Sequence, residues 1–181
     1  MIASLWLPIL LSSVAVFFAS FLSWMVLQFH KQDWIKTDQE DRLMQLVREG
    51  NVAPGNYVFP YCSSSEEMKS EAFQQKYKAG PNGTLTVFPP GEGMGKKLGL
   101  TFVYFLAANF CIAYLATLAL TAGAEFMPVF RFVSTASFLT HFAGVICECV
   151  WFHKRITGNL IDSLMFAAIT GAIFGAMWPA T

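Results

Sequence analysis

The sequence predicts an all-α membrane protein with four transmembrane helices and a small α+β insertion between the first two. Three observations support this fold class. Hydrophobic residues make up 55% of the 181 residues and charged residues only 13%, which is unlike a soluble globular domain. The apolar residues are gathered in four long blocks, and about 20 residues suffice to cross a hydrocarbon core of ~30 Å. Most charged residues fall in one continuous segment between the first two blocks.

The four blocks predict transmembrane helices over residues 2–29, 98–122, 128–153 and 159–178. We do not expect the first to be a cleaved signal peptide, because it lacks a positively charged start and a small-residue cleavage site. Small residues recur at helical spacing in the last block and in the first, at Ala167, Gly171 and Gly175 and at Ser12, Ala15, Ala19 and Ser23. This spacing predicts close packing in an antiparallel four-helix bundle.

Residues 30–97 form the predicted insertion. An amphipathic helix is expected through Leu43 and Leu46 up to Gly50, and a second, with a serine cap, within 63–80. Two short strands, 56–60 and 84–88, are expected to pair. A segment of this size buries little core alone, so we expect it to lean on the membrane surface or on a partner.

Lysine and arginine residues near the ends of the blocks predict the orientation. Six lie on one side of the membrane and one, Arg131, on the other; the six are Lys31, Lys36, Lys96, Lys97, Lys154 and Arg155. Cytoplasmic loops carry the excess of positive charge. We therefore expect residues 30–97 to be cytoplasmic and both termini to be outside. The insertion balances its basic and acidic residues, so a nucleic-acid partner is not expected.

The third block holds a group of polar side chains at helical spacing. They are Ser134, Ser137, His141, Glu148 and Arg155, with Gly144 on the same face. Ionisable groups inside a membrane usually face a bundle interior or a water-filled cavity, which makes His141 and Glu148 functional candidates. In the alternative, structural interpretation, a neutral His141 bonds to Asn109 or a serine, and Glu148 pairs with Arg155 or His30.

A second polar cluster lies at the expected inner interface, where the first block ends. Its members are His30, Lys31, Asp33 and Trp34, together with His153 and Arg155 after the third block. We interpret it as a helix-exit anchor. His30 and Lys31 would meet lipid phosphates, Trp34 would lie in the interface, and Asp33 would pair with a lysine.

Asp162 also has a simple interpretation. If Asn159 caps the last helix, Asp162 stands three residues later, as in a capping box near the positive helix end.

No cofactor, metal site or catalytic residue is predicted. His30 and His153 lie about 18 Å from His141 at 1.5 Å per residue, so two histidines cannot share a haem there. A metal at the inner edge would have to draw on His30, His153, Glu148 and Cys62, and none of these pairs has diagnostic spacing. Nucleophile-elbow and zinc-protease motifs are absent from the sequence.

Three loop motifs carry a resemblance. "FHKQDW", "PGNYVFPYC" and "GPNGTLTVFP" resemble a group of small uncharacterised bacterial four-helix integral membrane proteins. That group shares a His-Lys-x-Asp-Trp/Tyr exit from the first helix, a Pro-Gly-x-Tyr-x-Phe-Pro strand and a Gly-Pro-x-Gly turn. The resemblance covers nearly the whole chain and implies a multi-pass protein of the bacterial inner membrane. It implies no activity.

The absence of catalytic motifs and the neutral insertion favour a non-enzymatic function. We expect an accessory or assembly subunit of a membrane complex, or a homo-oligomer, whose partners are the lipid bilayer and other membrane subunits or itself. One alternative is a small transporter or proton-linked channel that uses His141 and Glu148. Another is a membrane enzyme or cofactor carrier with an inner-edge site of His30, His153 and Glu148.

Overall fold

The computed structural model describes residues 1–180, and it confirms the predicted fold class. Four helices are long and apolar enough to cross a membrane: Ile2–Val26, Met94–Ala119, Phe126–Phe152 and Thr157–Ala176. The chain divides into two compact units. The bundle unit contains Met1–Ile35 and the chain from Met94 onward, and the insertion unit is Lys36–Gly93. The insertion unit is shorter than 30–97 because residues 30–33 pack within the bundle unit and residues 94–97 begin the second long helix.

The first membrane helix changes its winding near its end. A 3₁₀ turn (Ile2–Leu5) leads into α1 (Trp6–Phe21), which continues as one π-helical stretch, Leu22–Val26. At the end of this stretch the amide of Leu27 donates to the carbonyl of Leu22, five residues earlier, at 2.8 Å. Gln28 then adopts a left-handed backbone conformation, with φ of 54°, which a right-handed helix cannot continue through.

The insertion unit contains three helices and one two-stranded sheet. Its elements are α2 (Glu40–Glu49), β1 (Gly55–Phe59), α3 (Ser65–Lys69), α4 (Glu71–Ala79) and β2 (Gly83–Val87). The two strands pair as predicted, and their directions are antiparallel, with Tyr57 opposite Leu85. The second predicted helix is in fact two helices. Ser70 has an extended backbone and its hydroxyl accepts from the amide of Phe73 at 3.2 Å, so it caps a new helix.

A serine cap starts α3, as predicted. The hydroxyl of Ser64 accepts from the amide of Glu67 at 3.1 Å, and the Glu67 carboxylate accepts from the amide and the hydroxyl of Ser63 at 2.7 Å. These hydrogen bonds hold the pKa of Glu67 below its ordinary value of 4.5. Because the pKa of Glu67 is lowered in the folded chain, its carboxylate contributes its full stabilisation above pH 4.5. That stabilisation is lost as the pH falls through the lowered pKa.

The remaining membrane helices follow in antiparallel succession: α5 (Met94–Ala119), α6 (Phe126–Phe152) and α7 (Thr157–Ala176). Close packing of α6 against α7 depends on the small residues predicted for the last helix. A Cβ atom added at Gly171 would lie 2.9 Å from the Cβ of Ser134 and 3.1 Å from the backbone oxygen of Phe130. Glycine is therefore required where these two backbones meet.

The bundle core contains two apolar clusters. The distal cluster consists of Leu5, Ile112, Ala113, Ala116, Val129, Val133 and Phe174. The proximal cluster, nearer the bundle end from which the insertion leaves, consists of Val16, Ala19, Phe105 and Phe166. Large apolar side chains also cover the outward helix faces, among them Leu118, Val150 and Trp151. Outward apolar faces of this extent suit contact with lipid.

We predict that Gly171→Ala destabilises the bundle by about 1–3 kcal/mol, because the added methyl group meets α6 and cannot be accommodated without separating the helices. The unfolding free energy of the protein in bicelles measures this. Gly144→Ala on α6 is the matched control, since nothing lies within 4 Å of its added Cβ. Equal effects of the two substitutions would contradict the packing described here.

Candidate functional site

His30 lies between two carboxylates at the end of the bundle. Its Nδ1 is 2.6 Å from Oδ2 of Asp33, and its Nε2 is 3.1 Å from Oδ2 of Asp162. The hydroxyl of Ser23 donates to the other oxygen of Asp162. We call these four residues the His30 cluster. The side chains of His30, Asp33 and Asp162 are 3%, 18% and 9% exposed, so the cluster is nearly closed to its surroundings.

Local backbone features bring the cluster together. Ser23 belongs to the π-helical stretch that follows α1, and π-helical stretches are frequent at functional sites. The 3₁₀ turn Lys31–Asp33 brings Asp33 back to His30, which stands three residues earlier in the chain. Gly158, in the first turn of α7, lets the imidazole approach that helix, because a Cβ added there would be 2.7–3.2 Å from three ring atoms of His30.

Hydrogen bonds and ring stacking surround the buried imidazole. Carboxylates only accept hydrogen bonds, so each ring nitrogen of His30 faces an acceptor. The indole of Trp24 stacks on the ring, with centroids 3.9 Å apart and an angle of 6° between the planes. Hydrogen bonds to His30 and Ser23 offset the cost of burying the Asp162 carboxylate.

A second contact joins the same two parts of the chain. The guanidinium of Arg155 donates to the side-chain oxygen of Gln32, one residue before Asp33. Residues 30–33 are therefore tied to the segment around α7 by two side-chain contacts, one from His30 and one from Gln32. The site fastens the exit of the first helix to the start of the last.

The hydrogen-bond order of the cluster does not suit nucleophilic catalysis. A serine nucleophile is activated by direct contact with the imidazole, which a carboxylate then orients. Here Ser23 contacts the carboxylate instead, and both imidazole nitrogens already have partners. The geometry is that of a structural latch.

The structure corrects three interpretations of the inner-edge residues. His30 is buried and does not meet lipid phosphates. Asp33 pairs with His30 and not with a lysine. The predicted capping box is wrong, because α7 begins at Thr157 after Ile156, and Asp162 lies in its second turn. Asn159 instead donates to the carbonyl of Arg155 at 3.4 Å.

The other predicted inner-edge residues lie outside the His30 cluster, and most of them are exposed. Lys31 and Trp34 lie on the surface, Trp34 with 76% of its area exposed. His153 follows the last residue of α6 in a left-handed conformation, with φ of 53°. Cys62 belongs to the insertion unit and is a free cysteine of intermediate burial. Within residues 1–180, no group of three or more His, Cys, Asp or Glu residues could hold a metal ion.

The polar residues predicted for the third span are placed apart. His141 is half-buried, and its Nδ1 is 3.2 Å from the hydroxyl of Tyr104, not from Asn109 or a serine. Glu148 is exposed and pairs with Lys154 at 2.8 Å. The predicted pairing of Glu148 with Arg155 or His30 is therefore wrong. Arg155 lies beyond α6, which ends at Phe152, and so does not share its face.

Three further predicted residues lie in the bundle. Asn109 and Ser137 are fully buried. The amide of Asn109 donates to the hydroxyl of Ser13 at 3.1 Å. Ser134 donates to the carbonyl of Phe130 at 2.5 Å, one turn earlier on α6.

Sequence reasoning missed Asp162, Ser23, Trp24 and Gly158 as members or neighbours of the site. One signal was present. Asp162 is the one carboxylate in the last apolar block, and His30 lies at the same membrane edge. A search for a partner of each intramembrane ionisable residue would have paired the two.

Comparison of this chain with protein-family models, with curated proteins and with solved structures gives no significant match.

We predict that Asp162→Ala destabilises the bundle by about 2–4 kcal/mol, because it leaves the Nε2 of His30 and the hydroxyl of Ser23 buried without an acceptor. The unfolding free energy in bicelles is the measurement, and trypsin cleavage after Lys31 should become faster as the helix exit opens. Glu148→Ala, which removes a carboxylate from an exposed ion pair, should change stability by no more than about 0.5–1 kcal/mol. Equal effects of the two variants would show that the cluster is not a latch.

Proposed function

We propose that this chain is a non-enzymatic, multi-pass protein of the bacterial inner membrane that acts as an accessory or assembly subunit, within a membrane complex or as a homo-oligomer. One observation carries the proposal. Residues 36–93 include no buried residue, yet they expose many large apolar side chains: Leu43, Met44, Leu46, Tyr57, Val58, Phe59, Tyr61, Met68 and Tyr77. A folded unit with uncovered apolar surface of this kind marks an interaction site.

The helix α2 gives the clearest example. Leu43, Met44 and Leu46 share one side of it, and each is about half exposed. Its opposite side carries Gln45, which bonds to Glu49 at 2.7 Å. A short amphipathic helix gains most of its stability from packing its apolar side. That packing surface must come from outside this unit.

The charge of the insertion favours a protein partner over a lipid surface. Residues 36–93 contain six basic and eight acidic residues, a net charge of 6 − 8 = −2. Segments that bind anionic lipid headgroups carry clusters of lysine and arginine. An acidic unit with apolar side chains instead suits a protein surface that is apolar at its centre and basic at its rim.

The His30 cluster fits this function because it fixes the chain just before the insertion begins. Asp33 and Lys36 are only three residues apart in the chain. The ionisable groups of the cluster face one another. The resemblance to small bacterial four-helix membrane proteins supports the same topology, and His30 and Asp33 belong to the helix-exit motif of that group.

Two alternatives lose support. A transport path through His141 and Glu148 would need both to face one route, but their hydrogen-bond partners are Tyr104 and Lys154 respectively. An enzyme or cofactor site at His30, His153 and Glu148 would need an available imidazole nitrogen on His30, and both are bound by carboxylates.

We predict that native mass spectrometry of the protein in mild detergent gives a mass well above the 20.1 kDa chain. Leu46→Gln should weaken this assembly by roughly tenfold or more, because it removes apolar area from the uncovered side of α2. Gln45→Ala, on the opposite side of the same helix, is the control and should leave the assembly intact. A wild-type mass equal to one chain would contradict the proposed function.

We also predict that the insertion lies in the cytoplasm, because six of the seven lysines and arginines at the membrane edges lie on its side. With Cys111, Cys147 and Cys149 changed to alanine, a membrane-impermeant maleimide should label Cys62 in inverted vesicles and not in spheroplasts. Ala122→Cys, between α5 and α6, should show the reverse pattern when Cys62 is also replaced. Labelling of Cys62 in spheroplasts would invert the topology.

A further inference from the structure

A layer of buried polar residues crosses the bundle between its two apolar clusters. Its members are Ser12 and Ser13 on α1, Asn109 on α5, Ser137 on α6 and Thr170 on α7, each with 0% of its surface exposed. On α1, α5 and α7 the polar residue stands between a residue of the distal cluster and one of the proximal cluster. Every membrane helix therefore contributes a polar side chain to the core.

Contacts across the bundle place these residues at one level. The rings of Phe105, His141 and Phe166 lie within 5.3–5.8 Å of one another. Asn109, Ser137 and Thr170 each stand four residues from one of these rings, which is about 6 Å along a helix. Because α6 runs opposite to α5 and α7, the three steps point in the same direction.

The first helix joins the layer through Asn109. The hydroxyl of Ser13 accepts from the side-chain amide of Asn109 at 3.1 Å, and it donates to the carbonyl of Ile9 at 2.7 Å. Ser12 is its neighbour in sequence. The four helices thus meet in a single polar layer.

Most of the layer's polar atoms have no partner in the protein. Within residues 1–180, the buried side-chain atoms without a hydrogen-bond partner include one from each helix at this level: Ser12 Oγ, Asn109 Oδ1, Ser137 Oγ and Thr170 Oγ1. Serine and threonine hydroxyls in helices commonly bond to the carbonyl one turn earlier, as Ser134 does with Phe130. The hydroxyls of Ser12, Ser137 and Thr170 do not, and unpaired polar atoms are costly at the depth of the hydrocarbon core.

We propose that this layer is a water-binding site within the membrane-spanning part of the bundle. The unpartnered atoms are three hydroxyl oxygens and one amide oxygen, which together require both donors and acceptors. Water supplies both, and a buried water typically makes two to four such bonds. The layer holds no charged side chain that would select an ion. The Nε2 of His141, also buried and unpartnered, lies one turn away and extends the polar region toward the proximal end.

Water-edited solid-state NMR of the protein in lipid bilayers tests the proposal directly. Magnetisation should pass from water to the side chains of Asn109 and Thr170 at least fivefold faster than to Ala113 and Ala116 in the distal cluster. Transfer as slow as that of the two alanines would overturn the proposal. The wild-type protein suffices for this measurement, so it does not depend on whether any variant folds.

The variant Thr170→Val gives an independent test, because it keeps the shape of the side chain and removes only the hydroxyl. If the hydroxyl binds water, the variant should unfold with an equilibrium constant raised about tenfold and should lose the fast transfer at Asn109. If the layer is dry, removing an unpartnered hydroxyl should stabilise the protein, which contradicts the proposal. Ser134→Ala is the matched control, since that hydroxyl has a protein acceptor, and it should leave the transfer at Asn109 unchanged.

Discussion

The contact between His30 and Asp162 is the interaction on which the arrangement of the helix ends depends. It joins residues 132 positions apart, at the point where the first and last membrane helices come together. A buried aspartate is tolerated only if a cation or several donors face it. The π-helical turn that presents Ser23, the glycine at 158 and the stacked Trp24 all serve this condition. All three features surround the contact between His30 and the Asp162 carboxylate.

The rest of the bundle follows from the weak driving force for helix association in lipid. Apolar side chains gain little by leaving lipid for a protein core, so close packing and polar contacts hold the helices together. The structure uses both. Gly171 lets α7 touch the backbone of α6, while Asn109 bonds to Ser13 across α5 and α1. The His30 cluster adds a third contact of the same kind at the proximal end.

The parts of this structure that could be predicted are those set by local composition. Block length and hydropathy predicted the four spans. Two short runs of strand-forming residues predicted the small sheet. A four-residue spacing of small side chains predicted close helix packing, which the structure shows between α6 and α7. The site could be predicted only in part. His30 and Asp33 stood out because they are polar residues at a membrane edge, but their partners were misassigned. A capping motif involves residues three or four positions apart in the chain, whereas the imidazole that binds Asp162 belongs to the segment after the first membrane helix.

The same limit explains the remaining corrections. Ser70 interrupts a helical pattern because its hydroxyl competes for a nearby amide, and composition alone does not decide between an interior serine and a cap. Glu148 and Arg155 were expected on one helix face. That expectation failed because α6 ends at Phe152, and the residues beyond it follow the left-handed turn at His153.

The two units of the chain differ in their polar and apolar side chains. In the bundle, the ionisable groups of the His30 cluster contact one another. In the insertion, many large apolar side chains are exposed, and the net charge is negative. Binding energy in protein association comes chiefly from apolar and aromatic side chains that are exposed before the partner arrives. The proposed subunit function rests on this contrast, because the exposed apolar side chains belong to the insertion and the paired carboxylates belong to the bundle.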